Sequence, residues 1–276
     1  MIKKKRRTGE DFEPVHKKKY PKSLVLDLPQ AELLFPSALP AKHYLLVSGG
    51  RAPAPDWLRQ AARQREIWAL DRGLDALRHA SLAPDRLLGD GDSANRAAWD
   101  AALASGVPSD TYVRAKDYTD TQIALQEIAR HKSHIPSKGS GTLASWDAGT
   151  EDSGTVLLSG AFGGRFDHAM STVFSASRTA FPCVLADERE ILFFVKSGGI
   201  VAMRCKEAHA PKAVSLLPLT REVRGVKTCG LHWELQGETL TQDFLNATSN
   251  EPAAGLTDFS VSAEAGILAV FVCFSE

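Results

Sequence analysis

Short apolar runs alternate with amphipathic stretches from residue 43 to residue 186. Apolar runs bounded by turn residues are typical of buried strands, whereas apolar positions three to four residues apart are typical of helices. The predicted strands are Tyr44–Val47, Ile67–Leu70, Arg86–Leu88, Thr111–Val113, Thr155–Leu158 and Cys183–Leu185, and the predicted helices span residues 56–65, 74–79, 93–103, 119–128 and 166–180. Because strand and helix alternate, we predict an α/β fold with a doubly wound, mostly parallel sheet.

After residue 187 the helical periodicity weakens, and short apolar runs are punctuated by Gly, Pro, Asn and Ser. This pattern is typical of short strands joined by turns. The predicted strands are Ile191–Val195, Ile200–Met203, Ala213–Leu217, Val223–Val226, Leu231–Leu235, Phe259–Val261 and Ile267–Phe274. We therefore predict a small all-β domain after the α/β domain.

The beginning of the chain is basic, with nine Lys or Arg and three acids among residues 1–22. This charge, several prolines and the missing periodicity predict a partly disordered leader over residues 1–40. The α/β domain then covers residues 41–186 and the β-domain residues 187–276, with a surface insertion over 131–153. A nucleic-acid-binding arm is the alternative for the leader. No aromatic platform interleaves with the lysines, so we expect nucleic acid not to be a partner.

The overall composition is ordinary for a soluble protein, with 43% hydrophobic and 24% charged residues and zero formal net charge. Four cysteines lie far apart without a C-x-x-C pair, which indicates reduced thiols rather than a metal site. No apolar segment follows the basic start, and no apolar run approaches the ~20 residues that span a bilayer. We expect a cytoplasmic protein that does not cross a membrane.

Carboxylates follow several predicted strands directly. Asp71 follows the second strand, Asp90 and Asp92 follow the third within Gly89–Ser93, and Asp120 follows the fourth. Because the carboxyl ends of parallel strands meet at one edge, where open sheets bind ligands, we expect these side chains to gather there. Such oxygen ligands suit Mg²⁺, which bridges the phosphates of ATP and offsets their charge during transfer.

Several familiar motifs are missing from the chain. It contains no G-x-x-x-x-G-K-[ST] phosphate loop, no G-x-S-x-G elbow and no H-E-x-x-H metal motif. Gly89–Ala94 fits a loose G-x-G-x-x-A pattern, but its two aspartates repel a pyrophosphate. A P-loop kinase and a dinucleotide-dependent dehydrogenase are therefore poorly supported.

The segment Lys116–Asp120 precedes a predicted helix. Thr119 and Gln122 have the spacing of a capping box, which satisfies free backbone N–H groups at a helix start. Lys116 is either a surface partner of Asp117 or a phosphate contact, and the sequence leaves both open.

A second glycine turn, Gly163–His168, follows the fifth strand and opens a helix. Glycines permit a tight turn, a helix N-terminus favours anions, and Arg165 suits a phosphate. Asp167 is either an ordinary acid of the first helical turn or part of the acidic site. His168 is either a hydrogen-bonding or a catalytic histidine.

Together these motifs resemble those of the thiamin pyrophosphokinases. Three acidic motifs stand in the order typical of that family, and further matching segments lie in the second half of the chain. The resemblance covers roughly residues 43–276. The matching segments are Gly89–Ser93, Lys116–Asp120, Gly163–His168, Ser215–Leu219, Thr228–Trp233 and Thr248–Glu251.

The resemblance implies an α/β catalytic domain, a sandwich-like β-domain and a homodimer with thiamine near the subunit interface. It implies transfer of pyrophosphate from ATP, with Mg²⁺, to the hydroxyl of thiamine. The implied acidic catalytic residues are Asp71, Asp90, Asp92, Asp117, Asp120 and Asp167, and the metal candidates among them are Asp90, Asp92 and Asp120. The other implied contacts are Gly89, Ser93 and Thr119 with the nucleotide, Lys116, Arg165 and His168 with substrate phosphates, and Trp233, Ser249 and Asn250 with thiamine.

Three positions depart from the family pattern: Arg72 stands where a small residue is usual, Gly91 where a larger one is usual, and Thr172 where Asn is frequent. Other interpretations also remain. Trp233 also fits a half-buried aromatic of the β-domain, and Ser249 and Asn250 also fit a simple turn. The alternative functions are a pyrophosphokinase for another alcohol, such as a hydroxymethylpterin, and a non-catalytic nucleotide- or nucleic-acid-binding protein. Trp233 favours thiamine, and the retained acids favour catalysis.

Overall fold

The computed structural model describes residues 20–111, 118–130, 149–206 and 210–275, and within this part of the chain the strands form two sheets, one of nine strands and one of six. The strands are β1 (Val25–Asp27), β2 (Ala31–Leu34), β3 (His43–Val47), β4 (Glu66–Leu70), β5 (Arg86–Gly89), β6 (Ser109–Thr111), β7 (Thr155–Ser159), β8 (Cys183–Ala186), β9 (Glu190–Lys196), β10 (Ile200–Cys205), β11 (Ala213–Pro218), β12 (Glu222–Cys229), β13 (Gln236–Thr241), β14 (Phe259–Ser262) and β15 (Ile267–Cys273). The helices are α1 (Pro55–Ala61), α2 (Gly73–His79), α3 (Arg96–Ala104), α4 (Asp120–Arg130) and α5 (Phe166–Ser177), and a 3₁₀ turn spans Lys22–Leu24.

The larger sheet has the strand order β11-β15-β9-β8-β7-β3-β4-β5-β6. Strand β3 pairs in parallel with β4 on one side and β7 on the other, so that Leu45 lies opposite both Ile67 and Leu157. The chain winds outward from β3 through β4, β5 and β6, and then continues on the other side with β7 and β8. The strand order therefore reverses between β3 and β7. Open α/β sheets bind ligands at the carboxyl ends of strands beside such a reversal.

Helices cover both faces of the parallel strands. Leu45 and Val47 belong to a core cluster with residues of α1, α2 and α3, whereas Tyr44 and Leu46 belong to a second cluster with residues of α4 and α5. All four side chains are fully buried. Because successive side chains of a strand point to opposite faces and helices cover both, residues 44–47 of β3 form a continuous buried run. The prediction of a doubly wound, mostly parallel sheet is confirmed.

Antiparallel strands complete the architecture. β9 pairs antiparallel with β8, and β15 and β11 extend that edge of the larger sheet. The smaller sheet, β1-β2-β10-β14-β12-β13, is antiparallel throughout. Phe193 and Val270 of the larger sheet share one core cluster with Val201 and Phe259 of the smaller sheet. The two sheets thus face each other across an apolar core, as in a sandwich.

The expectation of a partly disordered leader is wrong for residues 20–40. These residues include β1 and β2, and β2 pairs with β10, with Leu34 opposite Ala202. Leu26, Leu28 and Leu33 are each at most 1% exposed. Their burial in the core between the two sheets outweighs the proline-rich composition on which the leader was predicted. Residues 1–19 of that leader lie outside the described residues.

The predicted boundary at residue 186 does not separate the two sheets, because β9, β11 and β15 follow it and extend the larger one. The predicted strand Leu231–Leu235 is also wrong. Gly230, with φ of +85°, turns the chain there, and Leu231 forms only an isolated bridge with Pro252. Within the predicted insertion, residues 131–148 lie outside the described part of the chain, as do Tyr112 and Val113 of the fourth predicted strand.

The cysteines are free, and Cys183 and Cys205 are buried. Burial raises the pKa of each of these two thiols to about 12. Both therefore stay protonated at neutral pH. Among the residues described, no helix combines the length and the apolar character that crossing a membrane requires.

Candidate active site

Asp71 is the first residue after β4, and it connects the ends of β4 and β5. Its φ of +43° lies in the left-handed region, and its N–H donates to the carbonyl oxygen of Leu88 (3.0 Å). Oδ1 of Asp71 accepts a hydrogen bond from the N–H of Gly91 (3.0 Å). A non-glycine residue in this conformation costs about 1–2 kcal/mol. Its contacts across the two strand ends offset that strain.

Gly89 provides the space that the Asp71 carboxylate occupies. A Cβ atom at position 89 would lie 1.8 Å from Oδ1 of Asp71, and the φ of Gly89 is +128°. Both facts require glycine, because no side chain fits there and L-residues rarely adopt that φ. The family resemblance implied a nucleotide contact at Gly89, and the structure adds that Gly89 accommodates an acid.

Asp90 and Asp92 complete a group of three carboxylates with Asp71. One oxygen from each of the three lies within 4.8 Å of the others. Asp90 is half-buried and Asp92 is exposed. Oδ1 of Asp90 accepts a hydrogen bond from the N–H of Asp92 (3.1 Å). The predicted gathering of acids at the carboxyl edge is therefore present for these residues.

Asp120 joins this group through Asp71. Burial, followed by the hydrogen bond and the charge of Asp120, raises the pKa of Asp71 from 3.8 to about 7, and the nearby charge of Asp90 acts in the same direction. The N–H of Gly91 opposes this shift. Two carboxyl groups in contact disfavour simultaneous ionisation, so the pair retains a proton more readily than isolated aspartates do.

The predicted capping box places Asp120 at the start of α4. The N–H of Thr119 donates to Oε1 of Gln122 (2.9 Å), and the N–H of Gln122 donates to Oγ1 of Thr119 (3.2 Å). The side-chain amide of Gln122 also donates to Oγ of Ser175 on α5 (3.2 Å). This reciprocal pair confirms the motif and fixes the helix start beside Asp71.

The donor set of the four aspartates fits a hard divalent cation. Carboxylate oxygens are the ligands that Mg²⁺ prefers, and a cation among them stabilises their ionised forms. The three oxygens that lie within 4.8 Å of one another come from Asp71, Asp90 and Asp92. Asp71 was expected among the acids that suit Mg²⁺, but the metal candidates named first were Asp90, Asp92 and Asp120. The structure instead groups oxygens of Asp71, Asp90 and Asp92, and Asp120 contacts Asp71.

The position of the Trp99 indole explains why a glycine, and not the larger residue usual in the family, stands at position 91. A Cβ at position 91 would lie 2.8–2.9 Å from three ring atoms of Trp99, and the φ of Gly91 is +71°. The indole of Trp99 thus occupies the space that a larger residue would need. Ser93 is exposed, and the predicted helix start at residue 93 is wrong, because Asn95 caps α3 by accepting from the N–H of Ala98 (3.1 Å).

The Gly163–His168 turn forms a second group at the start of α5. Both glycines have a φ of +68°, as their turn requires. Arg165 pairs with Asp167 through two contacts (3.1 and 2.5 Å), and both side chains are exposed. This pairing raises the pKa of Arg165 and lowers that of Asp167. Asp167 is thus bound to Arg165, and His168 is exposed beside it.

The predicted thiamine contacts form a third group, in which Asn250 holds Trp233. The N–H of Trp233 donates to Oδ1 of Asn250 (3.1 Å), and Nδ2 of Asn250 donates to the carbonyl of Trp233 (2.8 Å). Ser249 has a φ of +55°, and its N–H donates to Oγ of Ser215 (3.0 Å). The indole of Trp233 is 43% exposed, whereas Asn250 is 8% exposed. The arrangement presents an aromatic ring on a fixed backbone.

Two predicted residues, Lys116 and Asp117, lie outside the described part of the chain. The sequence reasoning also missed Arg51 and Asp187, which form an ion pair next to the Gly163–His168 turn. A signal was available, because Asp187 directly follows β8 as Asp71 follows β4, and Arg51 follows the glycines at the end of β3.

A carboxylate cluster at the carboxyl edge of a doubly wound sheet is typical of enzymes that handle nucleotide phosphates with a divalent cation. The family model described as thiamin pyrophosphokinase, catalytic domain, matches residues 59–184. The model described as thiamin pyrophosphokinase, vitamin B1 binding domain, matches residues 202–268. The chain belongs to the thiamin pyrophosphokinase family, so the resemblance found in the motifs is confirmed.

Individual relatives agree with this assignment. Thiamin pyrophosphokinase 1 of Caenorhabditis elegans is 28% identical over 171 residues, which span 61% of this chain and 62% of that protein. The thiamine pyrophosphokinase structure from Bacillus subtilis has a TM-score of 0.66 at 19% identity and covers 85% of this chain and 100% of that one. The Candida albicans thiamin pyrophosphokinase has a TM-score of 0.61 at 17% identity, with coverages of 93% and 97%. At these identities the structural likeness concerns the fold.

Proposed function

We propose that this chain transfers the pyrophosphate group of ATP to the hydroxyl of thiamine, giving AMP and thiamine diphosphate. The observation that carries the proposal is the cluster of Asp71, Asp90 and Asp92, with Asp120 bonded to Asp71, at the carboxyl edge of the parallel sheet. Family membership supports the donor and the acceptor.

Asp71, Asp90 and Asp92 would hold Mg²⁺, with Asp120 acting on Asp71. When bound, the cation offsets the negative charge of the phosphates during transfer. By fixing the position of the cation, these carboxylates would set the place of the triphosphate and of its reacting phosphorus. Asp71 or Asp92 is the candidate that accepts the proton of the attacking hydroxyl, and burial together with Asp120 raises the pKa of Asp71 to about 7, which suits a general base.

The nucleotide contacts assigned to Gly89, Ser93 and Thr119 lie beside these acids in the chain. Arg165 and His168 would bind phosphate from the start of α5, where helix N–H groups favour anions. To reach a phosphate, Arg165 leaves Asp167, and an exposed ion pair of this kind costs little to open. When no phosphate is bound, the ion pair with Asp167 holds the Arg165 guanidinium at this turn.

Trp233 would stack on the pyrimidine of thiamine, with Asn250 and Ser249 at the edge of the ring. The half-exposed indole and its fixed backbone support this role. An aromatic face held in position binds a flat ring with little loss of conformational entropy.

A homodimer and a cytoplasmic location are further parts of the proposal. The apolar side chains of Phe166, Met170 and Phe174 lie four residues apart on α5 and are 78%, 40% and 38% exposed. Such an apolar stripe on a helix supports contact with a second copy of the chain. The free cysteines support a reducing compartment.

The test is incubation of the full chain with ATP, Mg²⁺ and thiamine, followed by chromatography of the products. AMP and thiamine diphosphate are expected in equal amounts. Asp90→Asn should abolish most of this activity, whereas Asp100→Asn, which changes an exposed aspartate paired with Arg96, should preserve it. Neither product, together with no thiamine binding by calorimetry, would falsify the proposal.

A further inference from the structure

Arg51 connects two loops at the crevice where the strand order reverses. Backbone pairing of β3 with β7 continues past both strands, because the N–H of Gly50 donates to the carbonyl of Gly160 (2.8 Å) and the N–H of Arg51 to that of Phe162 (2.6 Å). A Cβ on Gly50 would lie 2.4 Å from the Gly160 oxygen. The loop after β3 is therefore in close backbone contact with the β7–α5 loop, residues 160–165.

The Arg51 side chain extends this contact toward the turn between β8 and β9. Its Nε and Nη2 donate to Oδ2 of Asp187 (3.0 and 2.6 Å), and Nη2 also bonds to Glu190. The guanidinium carbon lies 5.9 Å from the centre of the Phe162 ring. A Cβ on Gly163 would lie 3.0 Å from Cβ of Arg51, so the two residues touch. Arg51 thus contacts both the β7–α5 loop and the turn between β8 and β9.

Asp187 is a rigid anchor for that guanidinium. It is 0% exposed, and its Oδ1 accepts hydrogen bonds from the N–H groups of Arg189 and Glu190 (2.8 and 2.9 Å). Its carbonyl oxygen accepts from Nε2 of Gln30 in the β1–β2 turn (2.6 Å). A buried carboxylate with all these partners fixes the position of the cation that it binds.

We propose that Arg51 is a positioning residue that holds the β7–α5 loop in the shape that receives the phosphates of the nucleotide. The guanidinium is engaged with Asp187, Glu190 and Phe162, so it acts through the loop and not on the substrate. Arg165 lies at the end of the same loop, and its placement depends on the loop backbone. This inference rests on the proposed function for the identity of the nucleotide.

The test compares variants of the full chain. Arg51→Met removes the guanidinium, and the double variant Arg51→Met/Asp187→Asn also removes the buried charge, so that a folded protein remains available if the single variant unfolds. Arg204→Met is the matched control, because Arg204 pairs with Glu32 at a comparable exposure of 25%, against 28% for Arg51, between β10 and β2. Three quantities are measured: amide hydrogen exchange of the peptide covering residues 160–166, the dissociation constant of α,β-methylene ATP by calorimetry, and the KM values for ATP and thiamine.

Both Arg51 variants should show faster amide exchange in this peptide. The dissociation constant of the nucleotide and the KM for ATP should each rise roughly tenfold, with the KM for thiamine unchanged. Arg204→Met should leave all of these at wild-type values. Unchanged exchange, unchanged nucleotide affinity or an equal rise of both KM values would overturn the role of Arg51. If the wild-type chain forms no thiamine diphosphate, the proposed function fails, whereas faster exchange with weaker nucleotide binding still supports the inference.

Discussion

Asn250 holds the backbone of Trp233 from both sides, accepting from its N–H (3.1 Å) and donating to its carbonyl (2.8 Å). Seventeen residues separate the two along the chain. The N–H and carbonyl of Asn250 in turn pair with Val214 on β11. A buried amide therefore links an exposed indole to the sheet, and the orientation of the indole depends on both ends of that amide.

Asn250→Asp should weaken thiamine binding selectively. The substitution preserves the acceptor for the Trp233 N–H but replaces the donor with an oxygen facing the Trp233 carbonyl. We expect the KM for thiamine to rise roughly tenfold, about 1.4 kcal/mol, and the KM for ATP to stay constant. Steady-state kinetics measure both. Asn95→Ala is the control, since it removes the cap of α3 and should lower stability by about 1 kcal/mol without changing the KM for thiamine. Equal effects of the two variants on that KM would contradict the role of Asn250.

Gly89→Ala should nearly abolish activity, because its Cβ would lie 1.8 Å from Oδ1 of Asp71 and displace the carboxylate. We expect kcat/KM to fall by at least about 100-fold. Gly106→Ala separates this effect from backbone strain, since Gly106 also has a positive φ, +82°, but has no atom within 4 Å of its Cβ position. That control should cost about 1–2 kcal/mol of stability and leave kcat/KM intact. Normal activity of Gly89→Ala would show that Asp71 tolerates displacement.

The pH dependence of stability should reveal the coupling of Asp71 with Asp120. The pKa of Asp71 is raised from 3.8 to about 7 in the folded chain, first by burial and then by Asp120. The folded state therefore holds this proton more tightly than the unfolded state, and the resulting stabilisation is complete below pH 3.8 and lost as the pH rises through about 7.

In a chelating buffer, the Tm of the wild-type chain should consequently fall more than that of Asp71→Asn between about pH 5 and pH 8. Mg²⁺ should raise the wild-type Tm more at the higher pH, because ionised carboxylates bind the cation. Differential scanning calorimetry measures both effects. Parallel Tm curves for the two proteins would rule out the raised pKa.

The apolar stripe on α5 should mediate self-association. Met170→Lys introduces a charge between Phe166 and Phe174, and we expect it to shift the chain from dimer to monomer in light scattering after size-exclusion chromatography. Leu103→Lys on α3 changes a residue of similar exposure, 37% against 40%, and should preserve the dimer. A Met170→Lys variant that remains dimeric would place the interface elsewhere.

Local features of the site and the gathering of acids at the strand ends could be predicted from the sequence, whereas pairings between particular distant residues could not. The capping box of Thr119 and Gln122 forms as expected because its partners are three residues apart. Arg51 and Asp187 are separated by 136 residues, and Gln30 and Asp187 by 157. No periodicity marks such pairs, because they depend on how whole strands pack. The strands of residues 25–34 were missed for the same reason, since their leucines become a core only against β10.

The amino-acid sequence by itself determined the parallel strands, the acids at their ends and the order of motifs that identifies the family, because each depends on short-range periodicity or spacing. Only the tertiary structure decided which of the implied acids belong to the group. Asp71 joins Asp90 and Asp92 across two strand ends, whereas Asp167 pairs with Arg165. The distinction arises because strand register and loop closure set the positions of side chains that are distant along the chain.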